Sequence, residues 1–319
     1  MDALPIEEVN TFEHRSTVSG VSHKCGHDGH SAIGVGLVGL LKETPLSQGR
    51  VTVLFQPAEE VGEGARRVMD DPDFHISDYD FALALHNIPG YPKNELIWKK
   101  KQFTTAVQSL ILRFKGKTSH AAEPLKGNNP AIVIADTIRY ARENQVVDEE
   151  ELYYHLLTPI YIHMGSQDYG VAAGYGEAHF TIRSRRQAHM EEVTQKLIEF
   201  ARNRAWKEGI RMEAETLAEF AANRNDPLIL EPLREAAEAL GLSQTRRRVP
   251  FPWGEDFGLF TQHIPGAMFG LGAGEECPAL HNPDYDFPDD LIPTGIRIFY
   301  ETVNRLIASR VPATTHPPD

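Results

Sequence analysis

The chain has 319 residues, 41% hydrophobic and 24% charged, the make-up of a globular enzyme of about two domains. With 32 Lys and Arg against 45 Asp and Glu, its formal charge of −13 argues against nucleic acid as the main partner, because phosphate binding needs a basic face. Two cysteines, Cys25 and Cys277, make no disulfide framework, and the longest apolar run, 33–41, falls far short of the ~20 residues that cross a bilayer. A reducing, cytoplasmic compartment without membrane partners is therefore expected.

In chain order, residues 31–42 are apolar on nearly every face and carry Gly34, Gly36 and Gly39, which predicts a helix packed closely on a sheet rather than facing water. Residues 51–55 and 81–85 read as buried strands of a mostly parallel sheet, with a helix over 62–69 between them. The pattern changes near residue 104. Residues 104–115 read as an alternating strand, 129–144 as a helix, the stretches near Tyr161 and at 178–183 as strands, and 188–207 as a long helix. That order predicts a ferredoxin-like α+β sandwich inserted into a larger domain. After it, a helix at 227–240, a strand at 266–270 and a helix at 294–309 return to α/β patterning, and 311–319 reads as a disordered tail. The expected fold is thus α/β, a mixed, mostly parallel sheet flanked by helices over 1–103 and 220–319, with the inserted domain at 104–219.

The densest chemical signal is 23–30, His-Lys-Cys-Gly-His-Asp-Gly-His, where thiol and imidazole donors suit zinc and related metals. In extended backbone, Cys25 and His27 would share a side, and Asp28 could orient a ligating imidazole; a helix start decorated with surface histidines is the alternative. Glu59 and Glu60 follow the 51–55 strand, where a metal could take one carboxylate and leave the other as general base, whereas two solvated glutamates opening a helix would look the same. His86 lies just past the second strand. His281 follows the glycine run 270–274, whose backbone N–H groups, that of Gly272 among them, could meet a substrate carboxylate. No nucleophile elbow, phosphate loop or dinucleotide fingerprint competes.

These segments (CGHDGH, QPAEE, a strand ending in HN, GEDF and LHNPDYDF, with MDALPIEE at the start and KTSHAAEP in the insert) resemble the aminoacylase/carboxypeptidase superfamily of two-metal hydrolases, in its amidohydrolase branch. The resemblance spans essentially the whole chain. It implies Cys25, His27, Glu60, His86 and His281 as ligands of two divalent metal ions (zinc, or manganese, cobalt or nickel) and Glu59 as the general acid/base. It further implies His120 as the group that polarises the scissile carbonyl, often from a partner subunit, and Arg183 as the carboxylate-binding arginine. Glu255 and Asp256 match an acidic pair near the active-site floor, although a cap on the following helix would explain them as well. Two departures stand out. The family carries elements upstream of MDALP, including an aspartate, that precede the first residue here, and Gly170 occupies the position of a substrate-binding asparagine. The expected activity is hydrolysis of N-acyl or N-aroyl amino acids by a homodimer joined through the insert. The alternatives are a dipeptidase or aminopeptidase on the same scaffold, or a binding protein with impaired catalysis.

Overall fold

A computed structural model describes residues 2–309, so the tail at 311–319 lies outside the described residues. In chain order the chain forms α1 (His27–Glu43), α2 (Gly64–Met69), β1 (Ala82–Pro89), β2 (Leu96–Trp98), β3 (Lys101–Gln102), β4 (Ala106–Lys115) and β5 (Ser119–His120). It continues with α3 (Ala131–Glu143), β6 (His155–Met164), β7 (Val171–Ala172), β8 (Tyr175–Ser184), α4 (Gln187–Lys207), β9 (Arg211–Phe220) and β10 (Arg224–Asn225). Then come α5 (Pro227–Ala239), β11 (Gln244–Arg246), α6 (Gly258–Thr261), β12 (Gly266–Gly274) and α7 (Leu291–Ser309). The chain divides into two units, one of Met1–Phe103, Asn223–Arg248 and Asp256–Asp319, the other of Thr104–Ala222 and Val249–Glu255. The short segment Val249–Glu255 joins the second unit because Thr105 donates its N–H to Phe251 O (3.0 Å) and its hydroxyl to Pro252 O (2.9 Å).

In the first unit a mixed sheet runs β1-β12-β2-β11, parallel at β1/β12 and β2/β11 and antiparallel at β12/β2. β12, of small and apolar residues only, is central and buried along almost its whole length. Ile33 of α1, Leu85 of β1, Leu96 of β2, Phe269 and Leu271 of β12, and Leu291 and Ile298 of α7 form its core. Each such side chain stabilises by roughly 1.5–3 kcal/mol on burial. Asp226 caps α5 by accepting the Leu228 N–H at 2.8 Å, with Pro227 at the first helical position, where a missing N–H costs nothing.

Two expectations fail here. Residues 51–55 form no strand: β1 pairs with β12 alone, and Leu54 and Phe55 stay half exposed while Val53 and Phe55 lean on α1 beside Gly34. With no neighbouring ladder to enter, an apolar run of strand length stays irregular. Helix α1 does not hide all its apolar faces either. Val35 and Val38 are exposed, and α1 packs beside α7 because a Cβ at Gly36 would stand 2.2 Å from Ile296.

The second unit is a ferredoxin-like sandwich. Its antiparallel sheet runs β6-β8-β4-β9, and α3 and α4 cover one face, where Leu197 of α4 shares a core with Leu110, Leu112, Phe114, Phe180 and Ile182. β8 alternates strictly, Ala178, Phe180 and Ile182 inward, with Glu177, His179 and Arg183 on the open face. β4, expected to alternate, is instead buried at both inward and outward positions over most of its length.

Candidate metal centre

The loop into α1 is set by Gly26, whose φ of +89° is the left-handed conformation that glycine adopts without strain. His27 is therefore the first residue of a helix, not part of an extended Cys-x-His segment. Its Nδ1–H donates to Asp2 Oδ1 at 3.0 Å, since a carboxylate can only accept, and its Nε2 faces Glu59 Oε2 at 3.8 Å. The hydrogen bond that His27 donates to Asp2 and the charges of Glu59 and Glu60 overcome burial and hold the imidazole above its ordinary range. Asp2 is brought here by the backbone bridge between Leu4 and Ser22, and its other oxygen accepts the Glu60 N–H at 2.9 Å. Burial pushes the Asp2 carboxyl up, but those hydrogen bonds and the His27 charge outweigh it and lower it to about 2.

His86, on β1, donates Nδ1–H to the carbonyl of Asn87 at 2.8 Å, which leaves its Nε2 lone pair 3.5 Å from the Cys25 sulfur. Burial, with the nearby His27 charge, pushes this imidazole down to about 3, so it is neutral, the form in which imidazole binds a metal. Glu60 Oε2 lies 3.5 Å from His281 Nε2, and its Oε1 is buried without a hydrogen-bond partner. His281 has a left-handed φ of +66° and donates its N–H to Lys24 O at 2.7 Å. Donor atoms of Cys25, His27 and His86 lie within 4.8 Å of one another, as do those of Cys25, Glu60 and His281, and those of His27, Glu59 and Glu60. The first two groups share the thiol. Soft sulfur, imidazole and carboxylate in adjoining groups, with a buried orphan oxygen on Glu60, fit two divalent transition-metal ions.

Glu59 stands apart in its electrostatics. Burial pushes its carboxyl up to about 8, and the carboxylates of Asp256, Glu60 and Asp2 add to the rise against the His27 charge. Asp256 accepts from Gln56 Nε2 at 2.7 and 2.8 Å and from the Ala65 N–H at 2.8 Å. It therefore caps α2 and anchors the irregular segment before Glu59, and is not a cap for α6, whose N-terminus has no side-chain cap. Glu255 falls in the second unit, so the two halves of this acidic pair belong to different units.

Other expectations need correction. Asp28 is exposed on α1, and the carboxylate that orients His27 is that of Asp2. Gly272 lies buried in β12 and its N–H is taken by Glu95 O at 2.9 Å, so it has none to offer a substrate. His30 is partly buried, meets Asn87 Oδ1 at 2.6 Å and joins none of the donor groups. In the second unit, His120 is exposed on β5 with Nδ1 accepting the Ala122 N–H at 3.1 Å, and the adjacent backbone is held by Ala121 N–H to Gly170 O at 2.9 Å. Arg183 donates to Pro252 O at 2.8 Å.

Metal donors gathered around one thiol, with a proton-accepting carboxyl beside them, are the equipment of a metallohydrolase that cleaves amides. The signature of peptidase family M20/M25/M40 matches residues 1–305, and the chain belongs to that family. The N-acetyl-L-cysteine deacetylase of Bacillus subtilis (strain 168) is 30% identical over 312 residues, covering 97% of this chain and 73% of its own. The N-acetyldiaminopimelate deacetylase of Listeria welshimeri is 30% identical over 303 residues, covering 93% and 80%. Among solved structures, the Bacillus subtilis YXEP protein, described as a dinuclear metal binding peptidase, shares the fold with a TM-score of 0.79 at 24% identity, over 96% of this chain and 79% of its own. No described helix is long and apolar enough to cross a membrane.

Proposed function

We propose that the chain hydrolyses small N-acyl amino acids, with N-acetyl compounds, as in the deacetylase relatives, the first to test. The observation that carries this reading is Glu59, a buried carboxyl raised to about 8 beside two donor groups that share Cys25. Cys25, His27 and His86 would hold one divalent ion, and Cys25, Glu60 and His281 the other, as zinc, manganese, cobalt or nickel. The chemistry such ions supply when bound is Lewis-acid polarisation of a carbonyl and acidification of water. Glu59 takes the proton of the attacking water and returns it to the leaving amine nitrogen, a role matched to a pKa close to the working pH. Asp2 holds the His27 tautomer and the Glu60 backbone in place. His120 would stabilise the oxyanion and Arg183 would take the substrate carboxylate. Gly170 offers no side-chain amide to help Arg183, which relaxes the demand for a free carboxylate. A cytoplasmic location would keep the Cys25 thiol reduced.

We also infer a homodimer joined through the second unit. Its edge strand β6 leaves Ile160 and Ile162 59% and 52% exposed, an apolar edge that a second copy would cover by an isologous contact.

The test is Glu59→Gln on metal-loaded protein, with elemental analysis and turnover of N-acetyl amino acids against dipeptides. Turnover should fall by roughly 10²–10⁴-fold with the metal content unchanged. Loss of metal, or a retained rate, would assign Glu59 another role, and a preference for dipeptides would move the substrate class.

A further inference from the structure

Between His23 and Cys25 the ligand loop carries a lysine that is 1% exposed. The Lys24 ammonium donates to Tyr285 O at 2.7 Å and to a carboxylate oxygen of Glu8. Its own carbonyl accepts the His281 N–H at 2.7 Å. Three segments thus meet on this residue: the loop of Cys25 and His27, the loop of His281 and Tyr285, and the N-terminal segment that carries Asp2 and Glu8. Asn10 ties the last two further, donating from Nδ2 to Asp284 O at 3.2 Å and Tyr285 O at 3.3 Å.

Taking an ammonium out of water costs several kcal/mol, and an apolar side chain of similar volume would fill the same space at less cost. What the ammonium adds is direction, because its N–H groups must be met by acceptors at fixed positions. His281 needs such a restraint. It is half exposed, its backbone is in the left-handed region, and it belongs to no helix or strand. Cys25, His27 and His86 are placed differently, by the left-handed turn at Gly26, the first turn of α1 and the β1 ladder.

We propose that Lys24 is a positioning residue that fixes the His281 loop against the Cys25 loop, and so sets the geometry of the Cys25–Glu60–His281 donor group independently of the Cys25–His27–His86 group. This rests on the reading of the donor groups as a two-metal centre. The Lys24 ammonium acts through the Tyr285 carbonyl and the Glu8 carboxylate, whereas the His281 N–H to Lys24 O bond is made by the backbone and is common to every side-chain variant.

The experiment is calorimetric titration of metal-stripped protein with Zn²⁺, for wild type, Lys24→Met, Lys24→Arg and the double variant Glu8→Gln/Lys24→Met, each with a thermal melt. Wild type should bind two ions. In Lys24→Met one binding step should weaken roughly 10–100-fold, as for other residues that orient ligands, while the other stays within about threefold. Lys24→Arg should restore part of the loss. The double variant removes the unpaired Glu8 charge, so it should regain thermal stability without regaining the weakened step, and it carries the test if Lys24→Met does not fold. Two unaltered steps, equal weakening of both, or recovery of the step along with stability would overturn the proposal. Absence of two steps in wild type would instead refute the two-metal reading.

Discussion

Removal of the Asp2 carboxylate tests the centre without touching a donor atom. Asp2 joins two otherwise separate parts, the His27 imidazole at 3.0 Å and the Glu60 backbone at 2.9 Å. Asp2→Ala leaves His27 free to rotate or change tautomer and leaves the Glu60 N–H without its acceptor, so metal affinity should fall by roughly 10–100-fold. The same carboxylate carries a pH signature. Its ordinary value of 3.8 is lowered to about 2 on folding, a difference of at most about 2.4 kcal/mol, and about 1–2 kcal/mol once solvent screening is allowed for. Because the folded-state value is the lower, this stabilisation is fully present above about pH 4 and is lost as the pH falls through about 2. Urea unfolding of metal-free protein should find Asp2→Ala less stable than wild type by that amount at pH 7, with the gap closing as pH falls below about 4. Unchanged zinc affinity together with a pH-independent stability difference would refute the role given to Asp2.

Further predictions concern packing and assembly. A Cβ at Gly29 would lie 2.3 Å from the Phe287 ring, so Gly29→Ala should destabilise the first unit by roughly 1–3 kcal/mol through overpacking, read from the denaturation midpoint. Ile162→Lys should convert the proposed dimer to a single-chain mass in light scattering at micromolar concentration without loss of secondary structure, and a single-chain mass for wild type would refute the proposed pairing.

Much of the centre was legible because strand ends and loop motifs announce it. His86 follows an apolar run of strand length, and the thiol and imidazole of 25–27 stand four residues before a glycine-bearing apolar helix. Asp2 was not legible, since its place depends on a backbone bridge from Leu4 to Ser22 that no local pattern encodes. Asp28 misled for a reason of phase: once His27 begins a helix, the next residue points about 100° away around the axis. Gly272 misled because a glycine-rich run reads as a loop, whereas here it is a strand so closely packed that a Cβ would meet Pro92 O at 2.0 Å. The 51–55 run had the composition of a strand, but strand formation also needs a neighbouring edge, which lies in tertiary structure.

The second unit is closed at its own base. Its first and last strands, β4 and β9, are antiparallel neighbours with Val107 opposite Phe220, and in the first unit Phe103 donates its N–H to Asn223 O at 2.9 Å. An unstructured loop of roughly 120 residues joining Phe103 to Asn223 would oppose that closure by about 4 kcal/mol of chain entropy. A sandwich that returns its exit strand beside its entry strand lifts that opposition once its own sheet has formed. During synthesis residues 104–222, which hold all four strands of that sheet and both its helices, emerge before β12 and α7. The host sheet then assembles as though the interruption were a short turn.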